Sequence, residues 1–180
     1  MILRNYYKIL DAILQGTDTD NLTVFTKTDG GKMNARYYSS SDSSYIDALG
    51  FHDLTRLRDS LTYQGVVFGD GATEPSFDDY TLAGSVIKGL TGTISRTGTN
   101  NGESGAEATA VITVTNGNSN EVTIREVGYI GYATFYYTNS SNSTGGYIML
   151  DRTVLDTPVT IPAGGVGQVT YTIRMNYPTA

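Results

Sequence analysis

The chain has 180 residues, no cysteine and a formal net charge of −6. The acidic balance argues against binding to a nucleic-acid backbone, which needs a concentrated basic surface. The absence of cysteine excludes a disulfide-stapled module and any thiol nucleophile or thiolate metal site. Its 21 glycines and 14 tyrosines are typical of a turn-rich all-β protein, and a chain of this length can bury a sizeable core.

The N-terminal segment predicts a short amphipathic helix. Asn5 is a candidate N-cap and Gly16 a natural stop. A helix of about nine residues is marginal in water, so its apolar side must pack on its own domain, which is the favoured interpretation, or dock to a partner. That side consists of Tyr6, Ile9, Leu10, Ile13 and Leu14.

The start of the chain also bears on targeting. No long apolar run follows Arg4, so we expect no secretory signal. No run approaches the roughly 20 apolar residues of a membrane helix. We therefore expect a protein that is made in a cytoplasm and does not bind a membrane.

Residues 64–180 alternate strand patterns with turn signals. Val66-Val67-Phe68 is a short apolar strand that ends at Gly69, and Thr97–Ser104 is a turn region. This pattern predicts an all-β domain, an antiparallel β-sandwich of jelly-roll or immunoglobulin-like type. Residues 1–63 are predicted to form the short N-terminal helix and an extension that anchors the domain to a partner.

The centre of the predicted domain is the segment Ala108–Tyr132. Two runs of alternating β-branched residues flank the polar insert Asn116–Asn120. Alternation around an Asn/Gly-rich break is typical of a β-hairpin, in which the two strands lie side by side. The sequence therefore predicts a central hairpin here.

Glu126 and Arg152 are predicted to form a structural ion pair. Strict alternation places Glu126 on the inward side of its strand, together with Val122 and Ile124. A buried carboxylate needs a partner. On another strand, Arg152 lies at every second position with apolar residues, so alternation predicts that it faces inward with them. A role in bracing two strands is favoured over a catalytic role.

A group of tyrosines follows the same strand. They are candidates for contact with a glycan or with another subunit, and subunit or core packing is favoured because tyrosine is a good strand former and interface residue. The group comprises Tyr129, Tyr132, Tyr136, Tyr137 and Tyr147.

No combination of residues predicts an enzyme, a cofactor or a metal site. His52 is the single histidine, and no G-x-S-x-G nucleophile pattern accompanies it. Gly69-Asp70-Gly71 lacks the remaining features of a phosphate-binding loop. Asp18-Thr19-Asp20 lacks the later glycine and glutamate of an EF-hand calcium loop.

Three blocks of the sequence resemble structural proteins of tailed bacteriophages. The first is Val66–Gly71 followed by Asp78–Leu82, and the second is Thr115-Asn116 with Thr123–Gly128. The third is Leu150–Ile161, continued by Pro162-Ala163-Gly164 and Thr170–Ile173. Asn5-Tyr6-Tyr7 is also similar, although less specific. The hydrophobic residue that usually follows the second block is replaced here by Tyr129.

The resemblance implies a non-enzymatic virion component with a β-sandwich fold. Such a protein would decorate the head, form a head fibre or sit at the collar or tail, and its partners would be capsid, portal, collar or tail proteins. The resemblance also implies homo-oligomers, such as trimers. It supplies no catalytic residues. The alternative function is a receptor-binding module for host-surface glycans.

Overall fold

The structure is a computed structural model that describes residues 3–5, 7, 23–35, 56–100, 105–136 and 143–176. Most of these residues lie in β-strands, so the all-β class predicted from the sequence is confirmed. The strands, in chain order, are β1 Thr23–Thr26, β2 Lys32–Ala35, β3 Leu57–Arg58, β4 Gly65–Gly69, β5 Leu90–Asn100, β6 Gly105–Asn116, β7 Val122–Tyr136, β8 Ser143–Ile161 and β9 Val166–Asn176.

These strands form two larger sheets and one small one. The four-stranded sheet has the order β3-β4-β7-β8, the three-stranded sheet has the order β5-β6-β9, and β1 pairs with β2 alone. The short β3–β4 pair is parallel and the other pairs are antiparallel. Along the chain, β4 is followed by β5 and β6 of the three-stranded sheet, then by β7 and β8 of the four-stranded sheet, and last by β9 of the three-stranded sheet.

The predicted hairpin at Ala108–Tyr132 is wrong. β6 pairs with β5 and β9, whereas β7 pairs with β4 and β8, so residues 117–121 cross from one sheet to the other. An alternating sequence shows only that one face of a strand is buried. It does not distinguish a neighbour beside the strand from a neighbour across the core. In the two larger sheets, the antiparallel pairs formed by strands that follow one another in the chain are β5–β6 and β7–β8.

One hydrophobic core contains side chains from both larger sheets. The β-branched and aromatic residues of the alternating runs supply it, as is typical for strands that are buried on one face. The buried members are Val66, Phe68, Leu90, Ala110, Ile112, Val114, Ile124, Val127, Tyr129, Ile148, Leu150, Ile161, Val169, Tyr171 and Ile173.

A second hydrophobic cluster covers the other face of the four-stranded sheet. Val67, Ile130 and Met149 project from the sheet, and Leu82 and the fully buried Leu3 pack over them. The backbone N–H of Leu3 donates to the carbonyl of Leu150 at 2.9 Å. The four-stranded sheet is therefore buried on both faces, and the N-terminal residues take part in this second layer.

Asn5 has a different role from the predicted N-cap. Arg4, Asn5 and Tyr7 have helical backbone conformations, so a helical residue already precedes Asn5. The Asn5 side chain instead bonds both backbone groups of Thr26: its amide donates to the Thr26 carbonyl at 2.8 Å and its oxygen accepts from the Thr26 N–H at 3.3 Å. Asn5 therefore attaches β1 to the N-terminal segment.

Candidate functional site

Glu126 and Arg152, the predicted pair, are in contact on the outer face of the four-stranded sheet. Arg152 Nε lies 2.7 Å from Glu126 Oε2, and the side chains of both residues are at most 1% exposed. The pair lies beneath residues 70–86, which are part of the connection between β4 and β5. Together with Asp79 and the backbone groups described below, Glu126 and Arg152 form what we call the carboxylate cluster.

The pair does not face the core with Ile124, contrary to the predicted alternation. Between Ile124 and Glu126 the register of β7 and β8 is irregular, and residues 155–158 lie opposite Arg125 alone. Such irregularities reverse the facing of the residues that follow. Val127 therefore points into the core, and Glu126 points to the outer face.

Arg152 changes face for a similar reason. Tyr129 pairs with Asp151 and Ile130 pairs with Met149, which leaves Leu150 as an extra residue in β8. Leu150 belongs to the core, and Arg152 lies opposite Gly128, on the outer face. Because both strands are irregular, both side chains reach the same, unexpected face.

Glu126 accepts hydrogen bonds at both carboxylate oxygens. Oε1 accepts from the backbone N–H groups of Gly71 at 3.1 Å and Gly84 at 2.7 Å. Oε2 accepts from the backbone N–H of Ala83 at 3.0 Å, in addition to Arg152 Nε. One buried side chain thus holds two separate parts of the 70–86 segment.

Arg152 extends the cluster to the rest of the segment. Its guanidinium contacts Asp79 Oδ2 at 2.6 Å and donates to the carbonyl of Thr73, also at 2.6 Å. The rigid, planar fork of arginine suits simultaneous donation to several fixed oxygens. Two carboxylates and one carbonyl therefore surround one cation, and the 70–86 segment is fixed by charge-assisted hydrogen bonds.

The glycines of this region give the backbone room to approach Glu126. A Cβ atom on Gly71 would lie 2.4 Å from Glu126 Oε1 and 2.4 Å from the Gly84 nitrogen. Any side chain at Gly71 would thus displace the carboxylate or the loop. The Gly-Asp-Gly sequence serves this close approach, and Asp70 closes the segment by accepting from the Ser85 N–H at 2.7 Å.

A second polar cluster lies where the strands cross between sheets. The fully buried Asn116 donates through Nδ2 to the carbonyls of Asn120, Ile161 and Pro162 at 2.9, 3.0 and 3.1 Å. Its Oδ1 accepts from the backbone N–H of Asn118 at 2.9 Å. We call Asn116 and these partners the amide cluster. It joins the β6–β7 crossing to the β8–β9 turn.

The amide cluster is not predicted by the sequence. Asn116 was predicted to be a turn residue between paired strands, because Asn and Gly are frequent in hairpin turns. The signal that was available is the phage resemblance, which includes Thr115-Asn116 in its second block and Pro162-Ala163-Gly164 in its third block. The two blocks meet in space, because the Gly164 N–H donates to the Asn116 carbonyl at 2.9 Å.

A buried acid also lies in the core between the larger sheets. Asp151 accepts a short hydrogen bond from the Tyr171 hydroxyl of the opposite sheet, and Thr153 Oγ1 donates to the same oxygen at 3.3 Å. Burial, and then the negative charge of Asp151, raises the pKa of Tyr171 well above its ordinary value. The tyrosine therefore stays neutral and donates to the acid.

The predicted tyrosine group is divided by the structure. Tyr129 is 1% exposed in the core, so it is not a surface contact. Because the strand changes its facing after Ile124, Tyr129 points to the core side together with Val127. The rings of Tyr132 and Tyr147 lie 4.9 Å apart on the outer face. Tyr137 lies outside the described residues, and for Tyr136 the structure describes the backbone only.

The other predicted sites lie outside the described residues. These are the docking residues Tyr6, Ile9, Leu10, Ile13 and Leu14. His52, Asp18 and Asp20, which were not predicted to form a site, also lie outside the described residues. Within the described ranges, no three His, Cys, Asp or Glu side chains are placed to hold a metal ion. No described helix is long and apolar enough to cross a membrane.

The chemistry of both clusters is structural. Every buried side-chain nitrogen or oxygen of the described residues has a hydrogen-bond partner, and the two Glu126 oxygens are occupied by donors from the protein itself. A general base needs an oxygen that can reach a substrate proton. The carboxylate cluster therefore holds a loop on a sheet and does not present a reactive group.

Comparison of the chain with protein-family models, with curated proteins and with solved structures gave no match in any of the three searches.

Proposed function

We propose that the protein is a non-enzymatic structural component of a tailed-bacteriophage virion. It assembles on the head, as a decoration or head-fibre protein, or at the collar or tail, through self-association and docking to another phage protein. It is assembled in the host cytoplasm and binds neither nucleic acid nor membrane. The three sequence blocks that resemble phage structural proteins are the basis of this proposal.

The observation that carries the proposal is the position of these blocks in the fold. Asp79 of the first block, Glu126 of the second and Arg152 of the third meet in one buried cluster. The block residues therefore have a shared physical task, the fixing of a loop to a sheet, and that task needs no substrate.

The finer architecture follows from the shared core. We propose that the two larger sheets form an antiparallel β-sandwich of jelly-roll or immunoglobulin-like type, because their side chains form one core and the β4–β5, β6–β7 and β8–β9 connections cross between the sheets. The helical backbone at Arg4, Asn5 and Tyr7 supports a short N-terminal helix.

The test of the virion role is the composition of the particle. Mass spectrometry of purified particles from the phage that encodes the chain is expected to detect it, and particle reconstruction is expected to show copies in a symmetric arrangement. Absence of the chain from purified particles would refute the proposal.

The N-terminal helix is the proposed anchor to the partner. Deletion of the segment would be a poor test, because Leu3 is buried in the second hydrophobic cluster. Leu10→Asp instead introduces a charge on the predicted apolar side, and Gln15→Asp introduces the same charge away from it. We expect only Leu10→Asp to abolish incorporation into particles, with the circular dichroism of both variants unchanged. Normal incorporation of Leu10→Asp would refute the anchor role.

A receptor-binding module for host glycans is the second candidate, and one surface feature favours it. The ring of Tyr63, 54% exposed, lies 6.4 Å from the Tyr147 ring, and the Arg58 guanidinium lies 5.5 Å from the Tyr63 ring. Sugars stack on such exposed aromatic faces. Binding of the isolated protein to a glycan array, lost in Tyr63→Ala and retained in Phe77→Ala, would favour this function over the purely structural one.

A further inference from the structure

The four lateral edges of the two larger sheets differ in how well they are protected from pairing with another chain. An edge strand exposes unpaired N–H and C=O groups, and proteins block such edges with bulges, prolines, inward-pointing charges or covering segments. Three of the four edges carry such features, and the edge formed by β9 is the exception.

The β8 edge is covered and irregular. Leu3 donates to the carbonyl of Leu150, and Thr28 donates to the carbonyl of Tyr147 at 3.0 Å. Further along, β8 has the irregular stretch at residues 155–158 and contains Pro158, which has no N–H to donate. A foreign strand would find no continuous row of backbone groups there.

The opposite edge of the same sheet is also closed. β3 covers the start of β4 with two residues, and the remainder of β4 is covered by residues 86 and 87. Gly69 forms a bridge with Val86, and the Ile87 N–H donates to the Phe68 carbonyl at 2.9 Å. The two-residue β3 is too short to serve as a template for another strand.

The β5 edge of the three-stranded sheet carries a charged residue at a core-side position, Arg96, whose side chain is exposed in the single chain. Arg96 lies opposite Ala110 and has the parity of Ile94, so its side chain begins on the core side of an edge strand. A second strand placed beside β5 would bury this guanidinium. Gly92 and Gly98 weaken the strand further.

The β9 edge has no blocking charge, proline or bulge between Val166 and Ile173 and, within the described ranges, no covering strand, although Gly167 lies in this stretch. This stretch contains no proline and no charged residue, its register with β6 is continuous, and no strand among the described residues pairs with its other side. Val166 is 66% exposed, and Gln168 and Thr170 are exposed. Eight consecutive neutral residues thus form an open, regular edge.

We propose that β9 pairs with β9 of a second copy of this chain, antiparallel across a two-fold axis, to form one continuous six-stranded sheet. The inference rests on the self-association in the proposed function and names its surface. The partner is a second copy because this edge is neutral: two chains that each carry a net charge of −6 can approach here without placing acids opposite each other.

The sequence of β9 is self-complementary in this arrangement. If Thr170 faces Thr170 of the partner copy, each Gln168 faces Thr172 and each Val169 faces Tyr171. Aromatic residues opposite β-branched residues, and paired threonines, are favourable cross-strand neighbours. The molecule already uses such threonine pairs, because the hydroxyl oxygens of Thr109 and Thr172 lie 3.1 Å apart between β6 and β9.

The expected dimer is weak. A single strand pair buries less surface than the roughly 800 Å² per partner of a standard interface, so we expect a Kd on the order of 1–100 µM. Light scattering after size-exclusion chromatography should then give twice the 19.4 kDa of the chain at high concentration, with dissociation on dilution.

Three variants test the pairing. Thr170→Lys places two like charges opposite each other and should give a monomer at every concentration. Thr93→Lys is the matched control, since it makes the same change at an exposed threonine of β5, and it should dimerise as the wild type does. An equimolar mixture of Thr170→Lys and Thr170→Glu should restore the dimer. Hydrogen exchange should show protection in dimers only for those β9 amides that point away from β6, since the others already bond to β6 in the single chain.

The outcomes separate the pairing from the virion role. A wild-type monomer at high concentration, an unaltered dimer in Thr170→Lys, or a trimer would overturn the two-fold β9 pairing, and the virion role would stand. A β9 dimer together with absence of the chain from purified particles would overturn the virion role alone.

Discussion

The carboxylate cluster and the amide cluster perform similar tasks with different chemistry. In the first, Glu126 and Arg152 fasten the 70–86 segment to the outer face of the four-stranded sheet. In the second, Asn116 fastens two connections at one end of the strands. Each places one buried polar side chain at the centre of several backbone groups.

The difference between the clusters lies in what they bind. The 70–86 segment presents backbone N–H groups to the sheet, and only an acceptor with two oxygens satisfies three of them. That acceptor is charged, so a buried cation must accompany it. The sheet end presents mainly carbonyls, which an uncharged amide satisfies. The charged solution therefore requires two residues from different strands, and the neutral one requires a single residue.

The largest expected effect follows from removal of the cation. Arg152→Met leaves Glu126 and Asp79 without their counter-charge, and the loss of one partner from a buried pair costs about 4 kcal/mol. Urea denaturation should show this loss in the free energy of unfolding. Arg125→Met, at the exposed neighbouring arginine, is the control and should change stability by less than about 0.5 kcal/mol. Equal effects would contradict the central place of Arg152.

Glu126→Gln tests whether the cluster needs two acceptor oxygens. Each Glu126 oxygen receives two donors, so either orientation of the new amide directs its NH₂ group at donors. We expect a loss of about 3 kcal/mol, measured by thermal and urea unfolding. Glu121→Gln, at an exposed position, should be neutral. A neutral result for Glu126→Gln would show that shape alone holds the loop.

Asn116→Asp is the reverse change in the amide cluster. It directs a carboxylate oxygen at three carbonyl oxygens, each about 3 Å away. We expect a loss of about 2 kcal/mol, with Asn120→Asp as the control for the added charge. If Asn116→Asp were as stable as the control, the amide nitrogen would not be the group that joins the two connections.

Tyr171→Phe tests the buried acid in the core. At neutral pH the lost hydrogen bond to Asp151 should cost about 1 kcal/mol. Because the pKa of Tyr171 is raised in the folded protein, the unfolded chain ionises first, near pH 10, and wild-type stability should fall as the pH rises above that value. Tyr171→Phe removes this contribution, so its stability should fall less steeply between about pH 9 and pH 11. Parallel slopes would contradict the raised pKa.

The smallest effect is expected at the exposed ion pair. Arg4 Nε lies 2.6 Å from Asp78 Oδ1, as close as the buried contacts of Arg152, but the two side chains are 50% and 67% exposed. Asp78→Asn should therefore change the free energy of unfolding by about 0.5 kcal/mol or less. A loss as large as that of Arg152→Met would show that distance, and not burial, governs these pairs.

The alternating patterns predicted that these segments form β-strands, but they did not predict which strands pair with each other. Ala110, Ile112 and Val114 alternate with threonines and one valine, and they do form one buried face of β6. The pattern does not show which strand lies beside β6. In the structure, β5 and β9 lie beside β6, whereas β7 belongs to the other sheet. Pairing is a long-range choice, made by the sheets as a whole.

The Glu126–Arg152 contact was predicted from alternation that does not hold. Irregularities before Glu126 and at Leu150 each reversed one side chain, so two errors in facing left the pair together on the other side of the sheet. The part of the prediction that holds is the need of a buried glutamate for a cation. The position of the irregularities could not be predicted, because it depends on how β7 and β8 fit the loop above them.

The sequence alone determined the all-β class, the apolar face of the strands and the need of Glu126 for a partner, because these depend on local periodicity and on the cost of burying charge. Tertiary structure decided which strands share a sheet, which face holds the ion pair and what Asn116 joins. These features depend on contacts between backbone groups of segments that are distant in the chain, and a local sequence pattern does not predict such contacts.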